Sequence, residues 1–254
     1  DMFRQPDSLY AGVLLCSAII LAVVGGCLFW LRMPGDERLH NYRLSRRFVG
    51  WAYLSLAFTD VLWLLFSLEE HELDFTRILV LAVAAVQAAM FSGALVTLVN
   101  SRFPLARGIR RHLLAVAAGT VLSFGCMFLF PRVFPVFFRL TVAAYCVQIA
   151  LFVRTFVREY RACRRKLDNF FSDDEMRRLR WVAVSFLMTA LIGLTAAAWL
   201  VSGLGMPYLF AFTGIYMVFY TFFGMKYINY PAEFGRIAPV IADDVPELQV
   251  AGEN

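Results

Sequence analysis

Charge is what this chain has least of. Asp, Glu, Lys and Arg make up 17% of its 254 residues, where soluble domains carry about 25%. Histidine occurs three times and cysteine five times. His40, His71 and His112 all fall in expected loops, so no histidine pair is placed to hold a haem inside a membrane. Cys16, Cys27, Cys126 and Cys146 lie in apolar stretches and Cys163 in the most basic loop, without paired metal-ligand spacing. They read as small apolar residues, and a disulfide framework is not expected. There is no nucleophile elbow, phosphate loop or HExxH motif. The lysine near the last apolar run, Lys226, sits at its inner end, so a mid-membrane retinal Schiff base has no amine to form it. The expectation is a protein that is not an enzyme and has no cofactor and no metal.

Apolar residues fill the space that charge leaves. They account for 60% of the chain, aromatics for 16%, and phenylalanine alone occurs 25 times. A soluble globule of this size has too little interior to hide that much apolar surface, and disordered or secreted disulfide-rich chains have the opposite composition. The apolar residues gather in seven runs, Leu9–Leu31, Phe48–Leu68, Ile78–Val99, Leu113–Phe130, Leu140–Val157, Trp181–Leu204 and Tyr208–Met225. At about 1.5 Å per residue each crosses most or all of a roughly 30 Å hydrocarbon core. No run alternates as a barrel strand does. The first lacks a basic flank and a small-residue cleavage site, so it reads as a span and not a signal peptide. The expected fold is an all-α integral membrane protein, a seven-transmembrane helix bundle over residues 9–230 with a tail at 231–254.

The basic residues orient the bundle. The first, third and fifth loops carry Arg32, Arg38, Arg43, Arg46 and Arg47, then Arg102, Arg107, Arg110 and Arg111, then nine more between Arg154 and Arg180. Lys226 and Arg236 follow the last span on the same side, leaving only Arg4, Arg77, Arg132 and Arg139 on the other. Basic residues near span ends stay in the cytoplasm. The amino terminus is therefore expected outside, the carboxyl terminus in the cytoplasm, and the protein in the bacterial inner membrane as a multi-pass chain with membrane lipids as its surroundings. Tyr42, Trp51, Trp181, Tyr227 and Tyr230 then fall at the inner boundary and Tyr10, Trp63, Trp199 and Tyr208 near the outer one, as an aromatic belt would. Small residues at Ala82–Ala94, Ala115–Gly119 and Ala196–Ala198 are where helices are expected to approach closely.

Asp60 is the one acidic residue well inside a span. An ionised carboxylate there costs several kcal/mol, so it must face the bundle interior. Counted from the outer span ends, Asp60 lies about 12 Å deep, Gln87 about 14–15 Å and Gln148 about 12–14 Å, with Ser17, Thr120, Thr195 and Tyr216 at similar depth. Polar groups on oppositely running spans thus share one layer of the outer half. One reading is a ligand pocket open outward, with Asp60 as electrostatic anchor and Gln87, Gln148 and Tyr216 as hydrogen-bonding partners. The other is an interhelical hydrogen-bond network that serves only to hold the helices together. A carboxyl so placed could also exchange protons.

The loop Glu69-Glu70-His71-Glu72-Leu73-Asp74 reads as a solvated acidic loop on the outer face, with cation attraction as the alternative. In the fifth loop Ser172-Asp173-Asp174-Glu175 has the form of a capping box, and acids suit a helix start. The sixth helix is thus expected to begin about two turns before its apolar run, and Arg158, Arg161, Arg164 and Arg165 extend the fifth inward. Such protruding helices could carry motion to a cytoplasmic partner or form a basic collar on anionic headgroups.

The stretch Arg164-Arg165-Lys166-Leu167-Asp168-Asn169-Phe170-Phe171-Ser172-Asp173-Asp174-Glu175, followed by Arg178-Leu179-Arg180-Trp181-Val182, resembles the fifth-loop sequence of the seven-helix membrane regions that precede AraC-type helix-turn-helix domains in Bacteroidetes. Tyr227-Ile228-Asn229-Tyr230-Pro231 with Phe234 is similar to the end of that region. The resemblance implies a membrane-tethered transcription regulator whose bundle senses a signal for a cytosolic DNA-binding domain. It implies no ligand-contacting residues. Here an acidic, proline-bearing stretch, Ala238 to Pro246, follows the bundle and reads as linker. Asp1 before Met2 and the final Ala251-Gly252-Glu253-Asn254 have the look of cloning remnants, so the expectation is a truncation that leaves out the output domain. Direct nucleic-acid binding by this fragment is then not expected, and homodimerisation is an expectation for the full-length protein. The expected function is signal sensing, with a small molecule or lipid as ligand. The alternatives are a small-molecule or proton-coupled transporter using Asp60, and a passive membrane anchor.

Overall fold

The computed structural model describes residues 4–31, 39–66, 73–100, 105–170, 173–202 and 205–231. Among these the chain forms seven α-helices and no strand: α1 (Arg4–Trp30), α2 (His40–Phe66), α3 (Leu73–Val99), α4 (Leu105–Leu129), α5 (Phe134–Phe170), α6 (Asp173–Ser202) and α7 (Met206–Asn229). All seven are long and apolar enough to cross a membrane. Within such helices each backbone N–H finds its carbonyl locally, the condition for a chain surrounded by lipid. Buried hydroxyls follow the same rule: Thr97 donates to the Gly93 carbonyl at 2.9 Å and Thr189 to that of Ser185 at 2.8 Å.

The helices outrun the apolar stretches that announce them. α5 has 37 residues, about 55 Å at 1.5 Å per residue, well beyond a hydrocarbon core of roughly 30 Å. The turn at 131–133 separates it from α4, and Pro135 falls at its second position, where a missing N–H is harmless. α6 starts at Asp173, eight residues before Trp181. Ser172, the acidic loop at 67–72 and the tail from residue 232 lie outside the described residues.

Cross-helix contacts fix the alternation of direction. Ser17 meets Asp60, and the Arg46 guanidinium donates to the Leu31 carbonyl at 2.7 Å, so α1 and α2 are antiparallel. Tyr42 reaches the Tyr227 carbonyl and Tyr53 that of Tyr220, so α2 and α7 are antiparallel as well. Gln148 donates to the Ala85 carbonyl and Asn100 to Glu159, which makes α3 and α5 parallel. The arginine-rich helix ends therefore gather at one end of the bundle and the N-terminus lies at the other.

α3 is the central helix. It packs on α2, α4, α5 and α6, and it contributes none of the large exposed apolar side chains that the other six present outward. α4 is peripheral. Ala115, Ala117 and Ala118 are exposed, so the small residues there do not mark a close helix approach as expected, whereas Ala85, Ala89 and Ala94 of α3 are buried. α7 packs closely on α1, meets α6 sparsely, and reaches α2 through tyrosine side chains.

Several expectations need correcting. Tyr42, Tyr227 and Tyr230 are not belt residues; they are buried, as are Tyr10 and Trp199, because converging helix ends enclose them. Trp51, by contrast, is exposed. His112 and Cys163 belong to helices and not to loops: His112 lies in α4 with its ring 5.0 Å from that of Phe152, and Cys163 is buried in α5. His40 opens α2.

Candidate functional site

The side chain of Asp60 lies on the face of α2 that meets α1 and α7, and all its described partners come from those two helices. The Ser17 hydroxyl of α1 donates to its Oδ2 at 2.6 Å. The Tyr216 hydroxyl of α7 lies 2.9 Å from Oδ1 and 3.0 Å from Oδ2. Ser17 and Tyr216 are themselves 3.1 Å apart, so the three side chains close a triangle that is 93% or more buried at every corner. Short residues make it possible: Ser17 is followed by Ala18, and the small Ser17 lets α1 come near enough for a hydrogen bond to α2.

Next to this triangle is a cavity of about 140 Å³ between α2 and α3 on one side and α6 and α7 on the other, with the start of α1 at its rim. It lies in the half of the bundle nearest the N-terminus, since its walls use the end of α2 (Trp63), the start of α3 (Val80) and the end of α6 (Trp199). Two buried apolar clusters bound it. One, around Phe91, Tyr220 and Phe223, fills the arginine-rich half; the other, around Phe138, Tyr145 and Leu200, joins α3, α5 and α6. Asp60 and Tyr216 both line the cavity.

Gln87 lines it too. Its Nε2 donates to the Ala52 carbonyl at 3.0 Å and to Ser55 Oγ at 2.6 Å. A backbone carbonyl only accepts, so the amide orientation is settled by this bond. Gln87 Oε1 is left buried and without a hydrogen-bond partner.

Of the four residues expected to form a site, Asp60, Gln87 and Tyr216 thus border one cavity. Gln148 does not join them. It is half-buried on α5, donates to Ala85 O on α3 at 3.2 Å and is not among the lining residues. Thr120 and Thr195 share the depth but bond within their own helices. Tyr208 adds a bond from α7 to the Thr195 carbonyl at 2.6 Å. Sequence reasoning missed the aromatic walls. Trp63, Trp199 and Tyr10 carry a signal that reads as membrane interface, and Phe212 and Tyr145 carry none apart from being apolar.

A carboxylate gripped by two hydroxyls, beside aromatic walls and a lone amide oxygen, can hold a hydrogen-bond donor or a cation. No group of three or more His, Cys, Asp or Glu side chains able to hold a metal ion occurs among the described residues. Comparison of the chain with protein-family models, with curated proteins and with solved structures finds no match in any of the three.

Proposed function

We propose that this chain is the transmembrane sensing domain of a membrane-bound transcription regulator of the bacterial inner membrane. Its N-terminus is outside and its C-terminus leads to a DNA-binding output domain in the cytoplasm. A small molecule or lipid-derived ligand enters from the outer half and settles beside Asp60. The regulator part of this reading rests on the resemblance of the fifth loop; the observation that supports sensing is the cavity itself. A bundle built only to anchor a regulator gains nothing from a space of about 140 Å³ bordered by a buried acid.

The same geometry suggests how binding is relayed. Tyr216 touches the cavity and stands on α7, which also carries Tyr220 and Tyr227 towards the other end and is followed by Tyr230. α7 is in close contact with α1 but only sparsely with α6. A ligand wedged between α6 and α7 changes their spacing at modest cost, and α7 passes the movement to the output domain. Such a change requires a ligand that prefers one arrangement over the other.

The test is reporter output from the full-length regulator carrying Asp60→Asn or Asp60→Ala. Output should be locked in one state in both variants while the protein still reaches the membrane. Asp60→Ala should also lower stability by about 1–3 kcal/mol, because the Ser17 and Tyr216 hydroxyls lose their acceptor. Unchanged signalling would make the bundle an anchor. A solute flux in proteoliposomes that disappears with Asp60→Asn would make it a transporter.

A further inference from the structure

The bonds around Asp60 leave its charge unmatched. Ser17 and Tyr216 are neutral donors, and no Lys, Arg or His lines the cavity. Gln87 has both described bonds on its nitrogen and none on its buried oxygen. The lining also carries threonine and tyrosine hydroxyls, so what sets this cavity apart is its one acidic side chain and the unpartnered amide oxygen of Gln87. A ligand that brings N–H donors and positive charge matches both groups.

The walls set the rest of the molecule. Trp63, Trp199, Phe212 and Tyr220 line the cavity, and aromatic faces attract a cation as well as an apolar body. The volume of about 140 Å³ is close to that of a cavity of about 150 Å³ known to hold one benzene. A single ring or a chain of similar bulk fits; a second charged group would be buried without a partner. Calcium and magnesium are poorly served, since they want about six or more oxygen ligands.

We infer that the cavity binds a small organic monoamine as its ammonium ion, with the nitrogen on Asp60 and the apolar body against the aromatic walls. This rests on reading the cavity as a ligand site and adds the chemical class of the ligand. An anion is repelled by the same carboxylate, and a neutral alcohol leaves its charge unmatched.

The experiment uses the whole chain in lipid nanodiscs, titrated with benzylamine and with the shape-matched benzyl alcohol and benzoate. Tryptophan fluorescence reports on the walls, and thermal unfolding gives a second readout. Benzylamine should give a saturable signal and raise the melting temperature. Benzyl alcohol should bind at least about tenfold more weakly, about 1.4 kcal/mol, and benzoate not at all. Asp60→Asn keeps an acceptor for Ser17 and Tyr216 and should erase the preference for the amine over the alcohol. Gln87→Leu should weaken benzylamine several-fold, and Ala84→Phe, which fills the cavity, should abolish the saturable signal and so separate it from partition into lipid. If benzyl alcohol binds wild type as tightly as benzylamine, or Asp60→Asn keeps the preference, the amine is overturned while a ligand cavity remains. If none of the three probes gives a saturable response in wild type, the cavity fails as a ligand site and the amine with it.

Discussion

Between α2 and α7 the bundle is closed at its arginine-rich end by rings, and at its N-terminal end it stands open around the cavity. In the closed half Tyr53 lies over Phe223 with planes 8° apart, Phe91 stacks on Tyr220 at 4.8 Å, and Trp181 meets Tyr230 edge-on at 4.8 Å. Tyrosine hydroxyls of α2 bond carbonyls of α7, and the Ser45 hydroxyl lies 2.5 Å from that of Tyr227 while bonding Ala94 of α3 at 2.8 Å. In the open half the corresponding space is bridged by one carboxylate and otherwise left unfilled. Without a strong hydrophobic drive between helices in lipid, packing and hydrogen bonds decide stability. One half is knit together by rings and hydrogen bonds, and the other keeps an unfilled space between its helices.

Paired substitutions test that contrast. The largest effect is expected at Gly224, where any Cβ would collide with Val24 of α1 and come within 3.1 Å of the Tyr53 hydroxyl. Gly224→Leu should destabilise the protein by about 1–3 kcal/mol in thermal unfolding. Ala84→Leu adds comparable bulk to the cavity wall and should be close to neutral; equal losses at both sites would dissolve the distinction between the halves. A smaller effect is expected for Tyr53→Phe, which keeps the ring stack but removes the bond to the Tyr220 carbonyl. It should cost about 0.5–1.5 kcal/mol and leave ligand responses in place. Smallest is Gln148→Leu, at about 0.6 kcal/mol for one interhelical bond, with no change in benzylamine binding. A loss of binding there would extend the site beyond the cavity described.

The sequence makes depth legible and leaves direction around the helix axis hidden. Counting residues from span ends brings Ser17, Asp60 and Tyr216 to one level, and in the structure they touch. The same count brings in Gln148 and Thr120, which face elsewhere. Depth counting carries no azimuth, and helices such as α3 and α7 are apolar on every side, so no polar stripe tells which of their faces turns inward. The tyrosines at 42, 227 and 230 show the same blindness: their level resembles that of an interfacial belt, but their azimuth puts them in the core.

What the amino-acid order determined alone was the number of helices, the apolar segment at the centre of each, and which helix ends carry the arginines. These follow from lengths of apolar chain and from the cost of unsatisfied backbone in lipid, both local properties. Tertiary structure decided that α3 is central and α4 peripheral, that Gln87 borders the cavity and Gln148 does not, and that aromatic side chains fill one half and spare the other. Those outcomes depend on how seven apolar surfaces share contacts with one another and with lipid, and the exchange between two apolar neighbours leaves no mark in composition or periodicity.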